Sequence, residues 1–325
     1  MEFHKHVEVD ASESQSGRYK LIDELNKLSF LMTEGSSLQV IQSLHSVGVS
    51  REALTTERRD ERKIIAGNMS PFNGYGPSEL SREERIEDAK NNLKNFFYHN
   101  DINPADVRML RPERDYSTPL TILNLDETPL SENKSGLLWP DTAGDMMYTF
   151  DLKTVMAACP ADCPIVFITA ETPKGPILVL LHLATLGVAH GYIAQAKEKL
   201  DSLGVDWKSA RVQVTPGGHG ETYRYKKFAQ YDPRIKFPES KSLFVDVEET
   251  VDENGTTAFN YGVDLAAEAY EKIVEQWGID TYQIFLDTTD TTSPKSGYSS
   301  NSRAFQGHEV DVDNTRDIVL AKRLP

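Results

Sequence analysis

The chain contains only two cysteines, Cys159 and Cys163, among its 325 residues. Two thiols cannot supply the disulfide framework that stabilises many small secreted proteins. The opening segment, MEFHKHVEVDASESQSGRYK, also lacks the apolar stretch of a secretory signal. Together these two absences favour a protein of the reducing cytoplasm.

Long apolar runs and an excess of basic residues are missing too. No run approaches the roughly 20 apolar residues that cross a bilayer, so we expect no membrane partner. The net charge of −15 argues against nucleic-acid binding, which requires a basic surface. Apolar residues nevertheless make up 39% of the chain, enough for a sizeable core. The composition therefore predicts a soluble globular protein, and it leaves the oligomeric state open.

The spacing of apolar residues predicts helices over 18–29, 37–45, 82–99, 187–203 and 264–278. Between Val107 and Phe167 the pattern changes to short β-like segments separated by turn formers. The continuous apolar run GPILVLLHLA is typical of a strand that is buried on both faces. We therefore predict an α+β fold, with an N-terminal extension (1–29) that carries a short helix and a single domain over 30–325.

Both cysteines lie in the segment AACPADCPIVFITAETPKGPILVLLHLATLGVAHG, which spans 157–191. Cys163 precedes the predicted strand PIVFIT, and His182 ends the next strand. A turn at TPKG would bring both side chains to the same end of a sheet. A thiolate and an imidazole can bind zinc or copper, or the imidazole can lower the pKa of the thiol and create a nucleophile. Besides a metal site and a nucleophilic thiol, a third interpretation is that both residues are structural.

The stretch PADCPIVF resembles the alanine-aspartate-cysteine motif of the multicopper polyphenol oxidoreductase (laccase-domain) family. One strand later that family has His-Ala-Gly-Trp-Arg-Gly, where this chain has HLATLG. His182 and Gly187 are retained there, and the tryptophan and arginine are absent. Segments such as DVRMLRPERDY, DLAAEAYEKIVEQWGIDTYQIFLDTTDTT and NTRDIVLAKRL extend the resemblance, in order, from about Phe30 to Leu324.

The resemblance implies mixed β-sheets packed together and flanked by helices, in the laccase-domain (cytotoxic-necrotizing-factor-like) architecture. It also implies a metal, zinc or alternatively copper, held by two histidines and one cysteine. Where the family has its first ligand histidine, this chain reads RPERD, and Glu113 takes that place. Because a carboxylate can ligate zinc at about 2.0–2.2 Å, we predict Glu113, Cys163 and His182 as both the metal ligands and the catalytic residues.

Three further residues are predicted to bind substrate. His219 lies in the glycine-rich segment VTPGGHG, where glycines allow a ligand to approach the backbone closely. Arg303 and Arg316 match late arginines of the family and could bind an anion such as phosphate. His190 and Cys159, by contrast, are expected to be structural.

The function implied by the resemblance is a metal-dependent enzyme acting on purine nucleosides, by phosphorolysis or deamination. Its substrates would be a nucleoside and phosphate. Three alternatives stay open: a non-catalytic binding or scaffold protein that keeps the fold, a polyphenol oxidoreductase, and a metal-free Cys-His hydrolase.

Overall fold

The computed structural model describes residues 27–32, 36–42, 81–112, 119–132, 136–219, 223–229, 232–251, 255–287, 291–292 and 318–324. Most of the predicted N-terminal helix (18–26), the predicted ligand Glu113 and the predicted anion-binding residues Arg303 and Arg316 lie outside these ranges. None of the described helices is both long and apolar enough to cross a membrane.

Short strands dominate the described chain. The strands are β1 (Lys27–Met32), β2 (Ser36–Gln42), β3 (Val107–Met109), β4 (Ile122–Asn124), β5 (Leu130–Glu132), β6 (Leu138–Pro140), β7 (Met146–Thr149), β8 (Val155–Ala158), β9 (Ile165–Glu171), β10 (Ile177–His182), β11 (Asp206–Val214), β12 (Arg224–Ala229), β13 (Phe244–Val251), β14 (Thr257–Val263), β15 (Ile284–Leu286) and β16 (Val319–Leu324). The helices are α1 (Arg82–His99), α2 (Thr185–Ala189), α3 (Tyr192–Ser202), α4 (Pro233–Lys236) and α5 (Leu265–Trp277).

These strands form two large sheets and one small one. A seven-stranded sheet has the order β1-β2-β16-β8-β3-β6-β5, and a six-stranded sheet has the order β15-β11-β9-β10-β7-β4. A three-stranded sheet has the order β12-β14-β13. Both large sheets are mixed: β3 is parallel to β8 and β4 to β7, whereas β10 is antiparallel to β9 and β16 to β8. The predicted mixed sheets are confirmed.

The two large sheets stack face to face, and helices cover their outer faces. One core lies between the sheets and includes Met156 of β8 and Phe167 of β9. A second core joins Leu93 and Phe97 of α1 to the outer face of the seven-stranded sheet. A third core joins α3 and α5 to the outer face of the six-stranded sheet, and Ile273 is one of its members. The layers therefore run helix, sheet, sheet, helices.

Strand β10 shows why the apolar run in the sequence is continuous. Ile177, Val179 and Leu181 belong to the core beneath the helices, whereas Leu178 and Leu180 belong to the core between the sheets. Because both faces of the strand pack against apolar layers, apolar and polar residues do not alternate along it. The prediction of a doubly buried strand is confirmed.

Two predicted helices are also confirmed. α1 spans the predicted residues 82–99 and buries its apolar stripe, including both Phe96 and Phe97. α5 begins after Asp264, whose side chain accepts a hydrogen bond from the backbone N–H of Ala267. It ends at Gly278, which has the left-handed φ of 65° that ends helices readily.

The predicted helix over 37–45 is wrong, because Ser36–Gln42 forms strand β2. Leu38 and Val40 are both buried, which is the two-residue period of a strand. β2 pairs with β1 on one side and β16 on the other, and the β-branched residues at 40 and 41 favour this extended conformation.

The predicted helix over 187–203 is divided into α2 and α3. Gly191, at φ 79°, separates them in a left-handed conformation that glycine adopts without strain. Gly187 lies inside α2, where a Cβ atom would come within 2.6 Å of the ring of Tyr192. Gly187, the glycine that the resemblance pointed to, therefore lets α2 approach the start of α3 closely.

The predicted boundary between the extension (1–29) and the domain (30–325) falls inside β1. This strand pairs with β2 along its whole length, from Lys27 to Met32. Residues 27–29 are thus part of the seven-stranded sheet, so the helix predicted over 18–29 is wrong for these three residues. The division into an extension and a single domain stays a prediction.

Candidate functional site

One terminus of each strand of the six-stranded sheet lies at the same end of the sheet, which we call the site edge. The term means this row of strand termini and not an outermost strand. Strands β4, β7 and β9 begin there, and β10, β11 and β15 end there, as the pairing registers require. Cys163 lies two residues before β9, His182 is the last residue of β10, and Asp145 directly precedes β7. Since β10 lies between β9 and β7, the three residues are neighbours on adjacent strands.

The imidazole of His182 joins the other two side chains. Its Nδ1 lies 2.8 Å from Oδ1 of Asp145, and its ring also hydrogen-bonds to the thiol of Cys163. Because Nδ1 faces Asp145, Nε2 is the nitrogen that remains for the sulfur. Asp145 is 0% exposed and His182 is 7% exposed, whereas Cys163 is partly exposed. A carboxylate, an imidazole and a thiol thus follow one another from the interior towards solvent.

The surroundings of His182 change its protonation. Burial acts to lower the pKa of His182, but the hydrogen bonds and the electrostatic attraction of Asp145 and Cys163 outweigh burial and raise this pKa from 6.5 to about 10. The ring is therefore an imidazolium at neutral pH in the metal-free protein. Oδ2 of Asp145 is buried and has no hydrogen-bond partner among the described residues, so Oδ1 carries the contact with the ring.

Backbone hydrogen bonds also hold Asp145 and His182 together. The backbone N–H of His182 donates to the carbonyl of Asp145 at 2.7 Å, and the N–H of Leu183 donates to the carbonyl of Pro164 at 3.1 Å. Gly144 donates to the carbonyl of Arg111 at 2.9 Å. The end of β10 is therefore hydrogen-bonded to Asp145 and to Pro164, the residue after Cys163.

A second set of contacts surrounds Cys163 from the other side. Asp162, which is 2% exposed, accepts a hydrogen bond at 3.1 Å from Oγ1 of Thr291. The backbone N–H of Thr291 donates to the carbonyl of Gly217 at 3.1 Å, and that of Gly218 donates to the carbonyl of Asp162 at 2.8 Å. These contacts join three segments, which we call the Cys163 loop (161–164), the glycine loop (215–219) and the Thr291 turn (291–292).

His219 ends the glycine loop. Its Nδ1 lies 3.9 Å from Oδ2 of Asp264, the residue that caps α5, and its side chain is 29% exposed. Gly217 of the same loop lies against Pro164, where an added Cβ would be 3.1 Å from Cδ of the proline. The structure thus brings the loop of His219 next to the Cys163 loop, while the role of His219 in substrate binding stays a prediction.

Of the three predicted metal ligands, Cys163 and His182 lie within the described residues, at the site edge. Asp145 contacts the far ring nitrogen instead, the position from which a carboxylate orients a metal-binding histidine. Across the described ranges, no three His, Cys, Asp or Glu side chains come together as a metal site. The described residues alone therefore do not complete the predicted ligand set, whose third member, Glu113, lies outside them.

The two residues expected to be structural have structural surroundings. Cys159 packs against the core beneath α1. The ring of His190 contacts the ring of Phe237 edge-on, with 5.2 Å between centroids.

Sequence reasoning missed Asp145, Asp162 and Thr291. Asp145 was visible as a carboxylate at the start of the strand DMMYTF, but the sequence does not show that this strand pairs with β10. Asp162 lies in the quoted motif, and Thr291 lies in a hydroxyl-rich segment that is typical of a turn. All three are polar residues directly beside a buried strand or loop, which is the one feature that the sequence shows. Their contacts with the Cys163 and His182 segments are visible only in the fold.

No protein-family model and no curated protein matches the chain. Solved structures do. The hypothetical protein YfiH of Bacillus licheniformis has a TM-score of 0.59 at 16% identity, covering 90% of this chain and 98% of YfiH. Protein NMB0706 of Neisseria meningitidis, of family DUF152, has a TM-score of 0.57 at 16% identity, covering 91% of this chain and 98% of NMB0706.

YlmD of Geobacillus stearothermophilus gives a TM-score of 0.57 at 15% identity, covering 90% of this chain and 93% of YlmD. These structures have the laccase-domain fold, so the fold that the resemblance implied is confirmed. At identities this low, the comparisons establish the fold and nothing about activity.

Proposed function

We propose that this chain is a zinc-dependent enzyme, with copper as the alternative metal, that acts on purine nucleosides by phosphorolysis or deamination. One observation carries the proposal: the buried Asp145 holds Nδ1 of His182, and the same ring is hydrogen-bonded to Cys163, so Nε2 is the nitrogen available to a metal. A histidine oriented in this way by a carboxylate, next to a thiol, is the usual arrangement of a metal-binding pair. The substrate class rests on the family resemblance.

In this proposal Asp145 orients the ring, and His182 and Cys163 bind the metal through Nε2 and Sγ. Glu113 would be the third ligand or a general base. A bound zinc would lower the pKa of a water molecule or polarise the substrate. His219 would contact the nucleoside from the glycine loop, and Arg303 and Arg316 would bind phosphate.

The test is a metal analysis of freshly purified protein, followed by assays with adenosine and with inosine plus phosphate. We expect stoichiometric zinc or copper and conversion of at least one nucleoside. His182→Ala should lose both metal and activity while retaining the folded circular dichroism spectrum. Folded wild-type protein that binds no added zinc or copper, and turns over neither nucleoside, would refute the proposal.

A second candidate is a metal-free thiol enzyme, such as a hydrolase or deamidase. The raised pKa of His182 favours it, because an imidazolium between a carboxylate and a thiol supports a nucleophilic thiolate. In this reaction Sγ of Cys163 attacks the substrate, and His182 donates a proton from Nε2 to the leaving group. Activity that survives complete metal removal, and is lost when Cys163 is alkylated, would favour this candidate over the first.

A further inference from the structure

The Cys163 loop is held by a side chain that comes from far along the chain. Thr291 lies beyond β15, yet its hydroxyl donates to Oδ1 of Asp162, the residue next to Cys163. Both residues are buried, at 2% exposure each. The loss of a donor to a buried carboxylate costs free energy, so this hydroxyl favours the position of the loop in which the bond forms.

The same turn also fixes the glycine loop. Thr291 donates its backbone N–H to the carbonyl of Gly217, and Gly218 donates its N–H to the carbonyl of Asp162. The carbonyl of Gly218 in turn accepts a hydrogen bond at 3.2 Å from Leu265, the first residue of α5. The Cys163 loop, the glycine loop, the Thr291 turn and the start of α5 therefore form one continuous network.

We propose that Thr291 is a positioning residue that acts through Asp162 to hold the sulfur of Cys163 against His182. Two groups of contacts place Cys163. In the first group, Cys163 contacts His182 at the end of β10, and His182 contacts Asp145. In the second group, Asp162 precedes Cys163 in the chain and is hydrogen-bonded to Thr291. Without the hydroxyl of Thr291, Asp162 loses this hydrogen bond, and the loop holds the sulfur of Cys163 less firmly against the ring. This inference rests on the proposed function in one respect only: it takes the sulfur of Cys163 as the atom that reacts or binds a metal.

The test measures alkylation of the two thiols in metal-free protein, with iodoacetamide at a single neutral pH. Cys159 serves as the internal reference, since it lies in the same chain and is also partly exposed. We expect Thr291→Val to lower the ratio of the Cys163 rate to the Cys159 rate about three- to tenfold, because small misplacements of a reacting group have large effects on rate. Thr291→Ser keeps the hydroxyl and should restore the wild-type ratio.

The matched control is Thr149→Val. Thr149 is also buried and also donates its hydroxyl to an aspartate, Asp126, but at the opposite edge of the six-stranded sheet. The control should lower thermal stability without changing the ratio of the two rates. If Thr291→Val does not fold, Thr291→Ala makes the same test with a smaller side chain.

An unchanged ratio in folded Thr291→Val or Thr291→Ala would overturn the inference, as would an equal fall in Thr149→Val or a failure of Thr291→Ser to restore the ratio. The alkylation assay uses neither nucleoside nor metal. A chain that fails every nucleoside assay but shows the expected ratios would therefore refute the proposed function and leave the role of Thr291 intact.

Discussion

The two edges of the six-stranded sheet use polar residues in different ways. At the edge opposite the site, polar side chains cap exposed turns: Thr172 bonds to Gly175, and Asp151 accepts from Lys153 and Thr154. At the site edge Asp145, Asp162 and His182 are buried. A turn needs no buried carboxylate or imidazole, and burying such groups costs free energy unless they are paired. Buried carboxylate and imidazole groups of this sheet are thus concentrated at the site edge, which is the arrangement that the proposed function requires.

The largest effect is expected at Cys163. For the proposed enzyme, Cys163→Ser should lower kcat at least about a thousandfold, as losses of central catalytic groups do. Cys159→Ser provides the matched control, because it removes the other thiol of the chain and should leave kcat within about twofold, as expected for a residue outside the site. Steady-state kinetics on both variants makes the comparison. Equal effects of the two substitutions would show that the sulfur of Cys163 has no special role.

Asp145→Asn should have the next largest effect. The amide would no longer favour the Nδ1–H form of His182, so we expect kcat or metal affinity to fall about 10- to 100-fold. Asp151→Asn alters a carboxylate at the opposite edge, and it should change neither quantity. Activity assays and metal titrations on the two variants would measure the contrast. A fall of the same size in Asp151→Asn would remove the distinction between the edges.

The pH dependence of stability should report on His182 directly. Its folded pKa of about 10 lies above the unfolded value of about 6.5. The folded protein therefore binds more protons between these values, and the free energy of unfolding should fall as pH rises from 6.5 through 10. The contribution is fully present below pH 6.5. Urea unfolding of metal-free wild type and His182→Asn at several pH values should show this decline in the wild type and a flatter profile in the variant.

The smallest effect concerns Gln213, which is 0% exposed on β11 near the site edge. Within the described part of the chain, neither polar atom of its side chain has a hydrogen-bond partner. Gln213 lies opposite Phe167 on β9 and Phe285 on β15. Gln213→Met keeps the shape and removes the unsatisfied amide, so it should raise the free energy of unfolding by about 1–2 kcal/mol. A loss of stability on urea unfolding would show that the amide contributes to the native state.

The sequence predicted the layers of the fold better than the site. Continuous apolar runs such as β10, and the capped helices α1 and α5, are specified by local periodicity and by residues such as Asp264 and Gly278. The strand at Ser36–Gln42 was misread because a short apolar segment fits both periods until its partners β1 and β16 are known.

For the site, the sequence placed Cys163 and His182 at neighbouring strand ends, and the structure brings them into contact. Asp145 could not be predicted in the same way. Its meeting with His182 depends on β7 pairing with β10, two strands that are separated in the chain by β8 and β9. The contact of Thr291 with Asp162 spans a still longer separation along the sequence. Such long-range contacts follow from sheet order and not from any local pattern.

The central claim is that Cys163 and His182 form one reactive pair at the site edge. The most direct test is the iodoacetamide reaction of both cysteines in wild-type and His182→Ala protein, with each site quantified by peptide mass spectrometry. We expect Cys163 to react faster than Cys159 in the wild type and to lose that advantage in the folded variant. Equal rates of the two thiols in the wild type, or an advantage of Cys163 that survives the loss of His182, would contradict the claim.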